Sequence, residues 1–142
     1  MIGAARGSRK GSRFRHELLY GMPVVAYAGL IFFLSSIPKF PDFFPTFSGF
    51  DKIVHFGEYY LLGWLLCRWL SAEESPAPKR RAVGLTVALG ILYGISDEWH
   101  QSFVPGRDAS IWDAAVDALA VGAAAFCYPR VAKQAALLKL RL

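Results

Sequence analysis

The sequence has few charged residues for its length. Asp, Glu, Lys and Arg make up 19 % of its 142 residues, whereas soluble domains average about 25 %. Apolar residues contribute 54 % and aromatic residues 15 %. A chain with this balance is expected to lie in a lipid environment rather than to keep a charged surface in water. Its length predicts a single domain.

Cysteine and metal-ligand motifs are also scarce. Cys67 and Cys127 are the only cysteines, and they lack the paired spacing of a thiolate metal site or a disulfide scaffold. Both are interpreted as small apolar residues. No contiguous motif of the H-E-x-x-H kind is present, so the sequence does not favour a metal centre, and the cofactor is left unknown.

Long apolar segments predict an all-α membrane protein. The stretch 18–37 holds no charged residue and has the length of about 20 residues that a bilayer core requires. Three further segments alternate with polar loops, which predicts a four-helix transmembrane bundle with helices at 18–37, 53–70, 82–99 and 111–128. Residues 18–128 would form this domain, between basic tails at 1–17 and 129–142. Ser110 is a predicted N-cap for the fourth helix.

Basic residues divide unevenly between the two sides of such a bundle. Thirteen of the 16 Lys and Arg fall in the two tails and around the loop 71–81, and the remaining three are Lys39, Lys52 and Arg107. Because basic loops stay on the cytoplasmic side, both termini are predicted to be cytoplasmic. Topology then accounts for the net charge of +5, so the expected partner is the lipid bilayer and no nucleic acid is expected.

Acidic residues segregate to the opposite side, mainly around the loop between the third and fourth helices. An acid inside the bilayer costs roughly 2.5–3.5 kcal/mol, so these side chains should face the bundle interior or a wet cleft. Residues four apart share one face of a helix. Three polar pairs have this spacing: Asp51 with His55, Asp97 with Gln101, and Asp113 with Asp117.

Short motifs around these pairs resemble those of the VanZ-like membrane proteins. They are D-K-x-x-H-F from Asp51, D-E-x-H-Q from Asp97, F-x-P-G-R from Phe103, and the Ser35–Ser36 pair. The resemblance covers residues 24–128. It implies a multi-pass protein of the bacterial cytoplasmic (inner) membrane, in a family whose namesake is associated with resistance to the glycopeptide antibiotic teicoplanin. The motif positions carried over are Asp51, His55, Glu98, Gln101, Arg107 and Asp113.

One departure from the family pattern adds a carboxylate. The family most often has Asn and then Gly in the fourth helix, where this chain has Asp117 and Ala120. The departure puts an additional acid beside the motif residues.

An acid/base or ligand-binding site is the leading interpretation of the cluster. Crowded carboxylates at low dielectric cannot all ionise, so at least one would keep a proton that it can donate. The candidate acid/base residues are Glu98, Asp113 and His55. A site on the outer side would meet a cell-envelope ligand, such as a lipid-linked cell-wall intermediate or a glycopeptide-related molecule. The candidate ligand-binding residues are Arg107, whose planar fork suits a phosphate or carboxylate, Gln101, Asp51, Asp97 and Asp117.

Two other interpretations stay open. A divalent metal is not favoured, but if one is bound, the candidate ligands are His55, Asp97, His100 and Asp113. Alternatively, the polar cluster only holds the bundle together through interhelical hydrogen bonds, and the chain is a non-enzymatic accessory or structural membrane protein. The sequence decides neither whether the chain is an enzyme nor its oligomeric state.

Overall fold

The computed structural model describes residues 11–38, 49–72 and 79–139, and these form four helices. We number the helices α1 (Gly11–Ser35), α2 (Phe50–Ser71), α3 (Lys79–Gln101) and α4 (Ile111–Lys139). The described part of the chain contains no strand, which confirms the all-α prediction. Most of the segment between the first two predicted helices, residues 39–48, lies outside the described residues, and α2 begins at Phe50, three residues before the predicted start at 53.

Helix α1 begins within the predicted N-terminal tail, since residues 11–17 are helical. It widens into a π-helical turn at Glu17–Gly21, where the Met22 N–H donates to the Glu17 carbonyl. Pro23 lies two residues after the end of this turn and has no N–H with which to continue the regular ladder. The π turn therefore lies where the ladder loses a donor.

Helix α4 runs ten residues past Pro129 to Lys139, beyond the predicted helix end at 128. A proline inside a helix leaves the carbonyl four residues earlier without its backbone donor. Here the Cys67 thiol from α2 lies 3.9 Å from the Ala125 carbonyl, where it supplies a weak donor. The Arg130 guanidinium donates to the next carbonyl, that of Phe126. The Cys67 thiol thus takes the place of the missing backbone donor at Ala125.

Helix α2 lies at the centre of the bundle and packs closely on α4. Gly63 faces the backbone of Val121, and Gly90 of α3 faces the Val121 side chain. Small residues at such contacts let helix backbones approach each other. The buried apolar core consists mainly of Tyr59, Leu62, Leu66, Ala120, Val121, Ala124 and Ala125.

The outer surface of the bundle is apolar, as expected of a membrane protein. Within the described ranges, two helices are long and apolar enough to cross a membrane: α1 and the stretch Ile111–Leu137 of α4. Large apolar side chains point outward from the bundle, and examples on α3 and α4 are Leu92, Ile95, Trp99, Leu119 and Phe126. Carboxylates, by contrast, are among the most buried side chains.

Close packing at Gly63 predicts a specific sensitivity to substitution. An added Cβ would lie 2.9 Å from the Val121 Cα, so Gly63→Ala must push α2 and α4 apart. Overpacking of this kind costs about 1–3 kcal/mol, and thermal unfolding in detergent should show a lower Tm. Gly57→Ala in the same helix is the control, because its Cβ meets no atom within 4 Å. An equal Tm for the two variants would contradict this packing.

Candidate functional site

Three titratable side chains from different helices meet at one end of the bundle. His55 lies in the second turn of α2, Glu98 near the end of α3 and Asp117 in the second turn of α4. The His55 Nδ1 lies 3.1 Å from the Asp117 Oδ1 and 3.9 Å from the Glu98 Oε1. We call His55, Glu98 and Asp117 the central cluster. Each of its members comes from a motif position or from the family departure noted above.

The loop before α4 holds Glu98 in position. The Ser110 N–H donates to the Glu98 Oε2 at 2.7 Å, while the Ser110 hydroxyl accepts from the Trp112 N–H at 3.2 Å. Ser110 therefore caps α4, which confirms the predicted N-cap. Because one carboxylate oxygen of Glu98 is bound to this loop, the other is left toward His55.

Burial leaves two carboxylate oxygens of the central cluster without a partner. Asp117 is 0 % exposed and Glu98 is 7 % exposed. Among the described residues, neither the Asp117 Oδ2 nor the Glu98 Oε1 has a hydrogen-bond partner. Gly94 provides the space for Asp117, since a Cβ there would lie 3.2 Å from the Asp117 Cβ. Buried polar groups are usually hydrogen-bonded, so such atoms mark a place where a proton or ligand belongs.

A second group of polar residues joins α3 to the end of α1. The Ser35 hydroxyl donates to the Asp97 Oδ2 at 2.9 Å, and the Gln101 amide donates to the same oxygen at 3.0 Å. His100 lies beside them, with its Nε2 3.0 Å from the Ser36 hydroxyl and its ring stacked on Phe32 at 4.4 Å. Asp97 and His100 thus serve the α1–α3 contact.

Lys52 connects two acids at the rim of the site. Its ammonium donates to the Asp113 Oδ1 at 2.8 Å and to the Asp51 Oδ2 at 3.1 Å. Asp113 is buried, whereas Asp51 is exposed. Sequence reasoning used Lys52 only for topology and did not place it in the site. Its position inside the D-K-x-x-H-F motif was the available signal.

Arg107 ties the α3–α4 loop to the end of α1. Pro105 and Gly106 form a turn closed by the Arg107 N–H on the Val104 carbonyl at 3.1 Å. Gly106 has φ +82°, as the third position of a type II turn requires. The guanidinium then donates from Nε to the Ile37 carbonyl at 3.0 Å and from Nη2 to the Leu34 carbonyl at 2.9 Å. These bonds give Arg107 a structural role, with backbone carbonyls of α1 and the residues that follow it as acceptors.

An aromatic groove of about 320 Å³ opens between α1 and α3. Asp97 lies at this groove with one oxygen, Oδ1, unpartnered among the described residues. The groove therefore combines apolar walls with a buried hydrogen-bond acceptor. Its lining is Phe32, Tyr93, Ser96, Asp97, Trp99, His100 and Phe103.

The structure divides the predicted site residues among these groups. Of the four metal ligands considered from the sequence, only His55 belongs to the central cluster. Asp97 and His100 bond to α1, and Asp113 bonds to Lys52. Spacing along the helices could not reveal this division, because it depends on how the three helices rotate against one another.

Comparison with known proteins identifies a family. The model of the VanZ/LLP1 family matches residues 7–133 of this chain. No curated protein and no solved structure matches it.

The two carbonyl contacts of Arg107 predict that lysine cannot replace it. An ammonium on a flexible stem lacks the rigid fork that reaches both acceptors. Hydrogen bonds between helices of a membrane bundle contribute about 0.6–2 kcal/mol each, so Arg107→Lys should lower the Tm of the purified protein. Arg81→Lys, at an exposed position, serves as the control. An unchanged Tm for Arg107→Lys would contradict the structural role.

Proposed function

The chain belongs to the VanZ/LLP1 family, and from that premise we propose that it binds a lipid-linked cell-envelope ligand at its central cluster. In this proposal all four helices span the bacterial cytoplasmic membrane. Both termini are cytoplasmic, and the cluster faces the outer side. The family's association with teicoplanin resistance makes a cell-wall precursor or a glycopeptide-related molecule the expected ligand class.

One observation carries the proposal: two carboxylate oxygens without a hydrogen-bond partner are buried where three helices meet. Glu98 and Asp117 each keep one oxygen without a hydrogen bond among the described residues. Leaving a buried polar group unsatisfied costs about 1–3 kcal/mol, and more for a charged group. A chain that needed polar contacts only to hold its helices together would be expected to satisfy these oxygens. These unpartnered oxygens support the proposal that the central cluster binds a ligand or a proton.

The shape of the neighbouring groove supports an amphipathic ligand. Apolar and aromatic walls of Phe32, Trp99 and Phe103 suit a lipid chain entering from the bilayer. The Asp97 carboxylate, which lines the groove, suits a hydroxyl or amine on the ligand's polar part, because an ionised carboxylate only accepts hydrogen bonds. A lipid-linked sugar or peptide has both features.

Within this site, His55 and Glu98 are the proposed acid/base pair. The His55 Nδ1 lies between two carboxylates at 3.1 and 3.9 Å, so a proton can pass among the three groups with little movement. Asp113 acts less directly, because its carboxylate is bound by Lys52. We assign Asp113 and Lys52 to the rim, where a polar headgroup would enter.

A purely structural role for the cluster is the second candidate. The bonds of Ser35 to Asp97 and to Gln101, and those of Arg107 to α1, join different elements of the bundle. Such bonds contribute only about 0.6–2 kcal/mol each in membranes. This role is the better assignment for Arg107 and Gln101. It leaves the unpartnered oxygens of the central cluster without an explanation.

The proposed orientation rests on the distribution of basic residues and is tested by labelling. In a chain whose two native cysteines are replaced by alanine, Pro105→Cys should react with a membrane-impermeant thiol reagent in whole cells. Ser71→Cys, at the opposite end of α2, should react only after the cells are permeabilised. Both positions are exposed, so access to the reagent depends on membrane sidedness. Labelling of Ser71→Cys in intact cells would refute the orientation.

The function itself is tested by teicoplanin susceptibility in bacteria that express the chain. Glu98→Gln removes the charge of a buried carboxylate while the side chain keeps nearly the same shape. The substitution should therefore abolish any protection that the wild-type chain confers. Membrane abundance of the variant should stay near the wild-type level. Asp108→Asn is the control, because this exposed acid in the α3–α4 loop lies outside the central cluster.

Two results would count against the proposal. Protection by Glu98→Gln equal to wild type would remove the central cluster from the function. Parallel losses of abundance and protection in Glu98→Gln, with Asp108→Asn normal, would instead favour the structural role.

A further inference from the structure

We propose that the central cluster binds a divalent transition-metal ion, Zn²⁺ or Mn²⁺. The ligands are the His55 Nδ1, one oxygen of Glu98 and one oxygen of Asp117. This set differs from the one considered from the sequence, and it adds a cofactor to the cluster. Any use of the metal in chemistry rests on the proposed function, whereas the binding itself does not.

Distances within the cluster suit a single ion. The three candidate ligand atoms all lie within 4.8 Å of one another. Nitrogen and oxygen ligands lie about 2.0–2.2 Å from Zn²⁺, which puts neighbouring ligands roughly 3–3.5 Å apart in a tetrahedral shell. The His55–Asp117 distance of 3.1 Å is already in this range, and the His55–Glu98 distance of 3.9 Å is slightly longer. In a metal-bound chain, the Glu98 oxygen would lie closer to His55 than it does here.

Unsatisfied oxygens are the second, independent observation. Asp117 is fully buried and Glu98 is more than nine-tenths buried, yet each has one oxygen without a hydrogen-bond partner in the described part of the chain. The Glu98 Oε1 is the oxygen nearest His55, so it points into the cluster. Buried charges are normally paired or coordinate a metal.

The neighbouring cationic side chains Lys52 and Arg107 have hydrogen-bond partners outside the central cluster. Lys52 bonds to Asp51 and Asp113 at the rim, and Arg107 donates to carbonyls of Leu34 and Ile37. A protonated His55 balances only one of the two carboxylates. A divalent cation balances both with a neutral imidazole, which is the form of histidine that binds metals.

The surroundings resemble those of a catalytic rather than a structural metal site. Three protein ligands leave a coordination position open, as in catalytic zinc centres. The Ser110 N–H holds the second oxygen of Glu98 at 2.7 Å, and such outer bonds orient ligands. One imidazole with two carboxylates, and no thiolate among them, suits Zn²⁺ or Mn²⁺ better than Cu⁺.

The competing account is a proton rather than a metal. In that account, the protonated His55 donates a hydrogen bond to Asp117, and the Glu98 carboxyl group is also protonated. It explains the same distances, and it predicts that the cluster binds no metal. The two accounts are therefore separated by metal content.

The test uses the full chain, purified in detergent without an affinity tag and stripped with a chelator. It is dialysed against Zn²⁺ or, separately, Mn²⁺, and bound metal is measured by mass spectrometry together with the shift in Tm. We expect one ion per chain and a higher Tm with metal. Asp117→Asn and Glu98→Gln should each weaken binding by at least about 100-fold, since even outer-shell changes cost 10–100-fold.

His100→Gln is the matched control. It removes an imidazole from the same level of α3, but His100 bonds to Ser36 and lies outside the cluster. We expect this variant to keep wild-type metal binding. Loss of binding in His100→Gln, or retention in both Asp117→Asn and Glu98→Gln, would overturn the assignment of ligands.

The wild-type result decides the proposal even if a variant does not fold. A wild-type chain that keeps neither Zn²⁺ nor Mn²⁺ after dialysis overturns the metal site. If that chain still protects cells from teicoplanin through Glu98, the proposed function stands without a metal. If the chain binds one metal ion but confers no Glu98-dependent protection, the metal site stands and the proposed function does not.

Discussion

The hydrogen bond between His55 and Asp117 is the contact on which the rest of the site depends. It joins the start of α2 to the start of α4 at 3.1 Å, inside a bundle whose outer surface is apolar. A fully buried carboxylate is unstable in such surroundings unless it has a partner. His55 provides that partner, and it also brings Glu98 of α3 within 3.9 Å. The three helices are thereby fixed relative to one another by contacts between their buried titratable side chains.

Backbone packing makes this contact geometrically available. Gly94 lets α3 approach the Asp117 side chain, and Gly63 and Gly90 do the same around Val121 one to two turns farther along. Larger residues there would separate the helices by more than a hydrogen bond can span. The central cluster and these three glycines therefore depend on each other. The glycines set the distance between the helices, and the central cluster sets their register.

The α3–α4 loop restricts how the central cluster moves. Arg107 ties the turn before α4 to the last carbonyls of α1, while Ser110 both caps α4 and holds one oxygen of Glu98. The second oxygen of Glu98 is consequently aimed at His55 rather than at solvent. A preorganised carboxylate in a dry site is suited to binding a cation or transferring a proton. This is why the proposed ligand and metal sites share the same residues.

The sequence by itself determined the helical class, the family, the N-cap at Ser110 and the set of polar residues at one end of the bundle. These follow from local signals: apolar length, residues four apart, capping chemistry and short motifs. It did not determine the continuation of α4 through Pro129, because the thiol that faces Ala125 comes from α2. Nor did it determine which acid meets which base. Asp97 and Glu98 are neighbours in sequence, yet one bonds to α1 and the other faces His55. That choice depends on the rotation of α3 about its axis, which only the packing of all four helices decides.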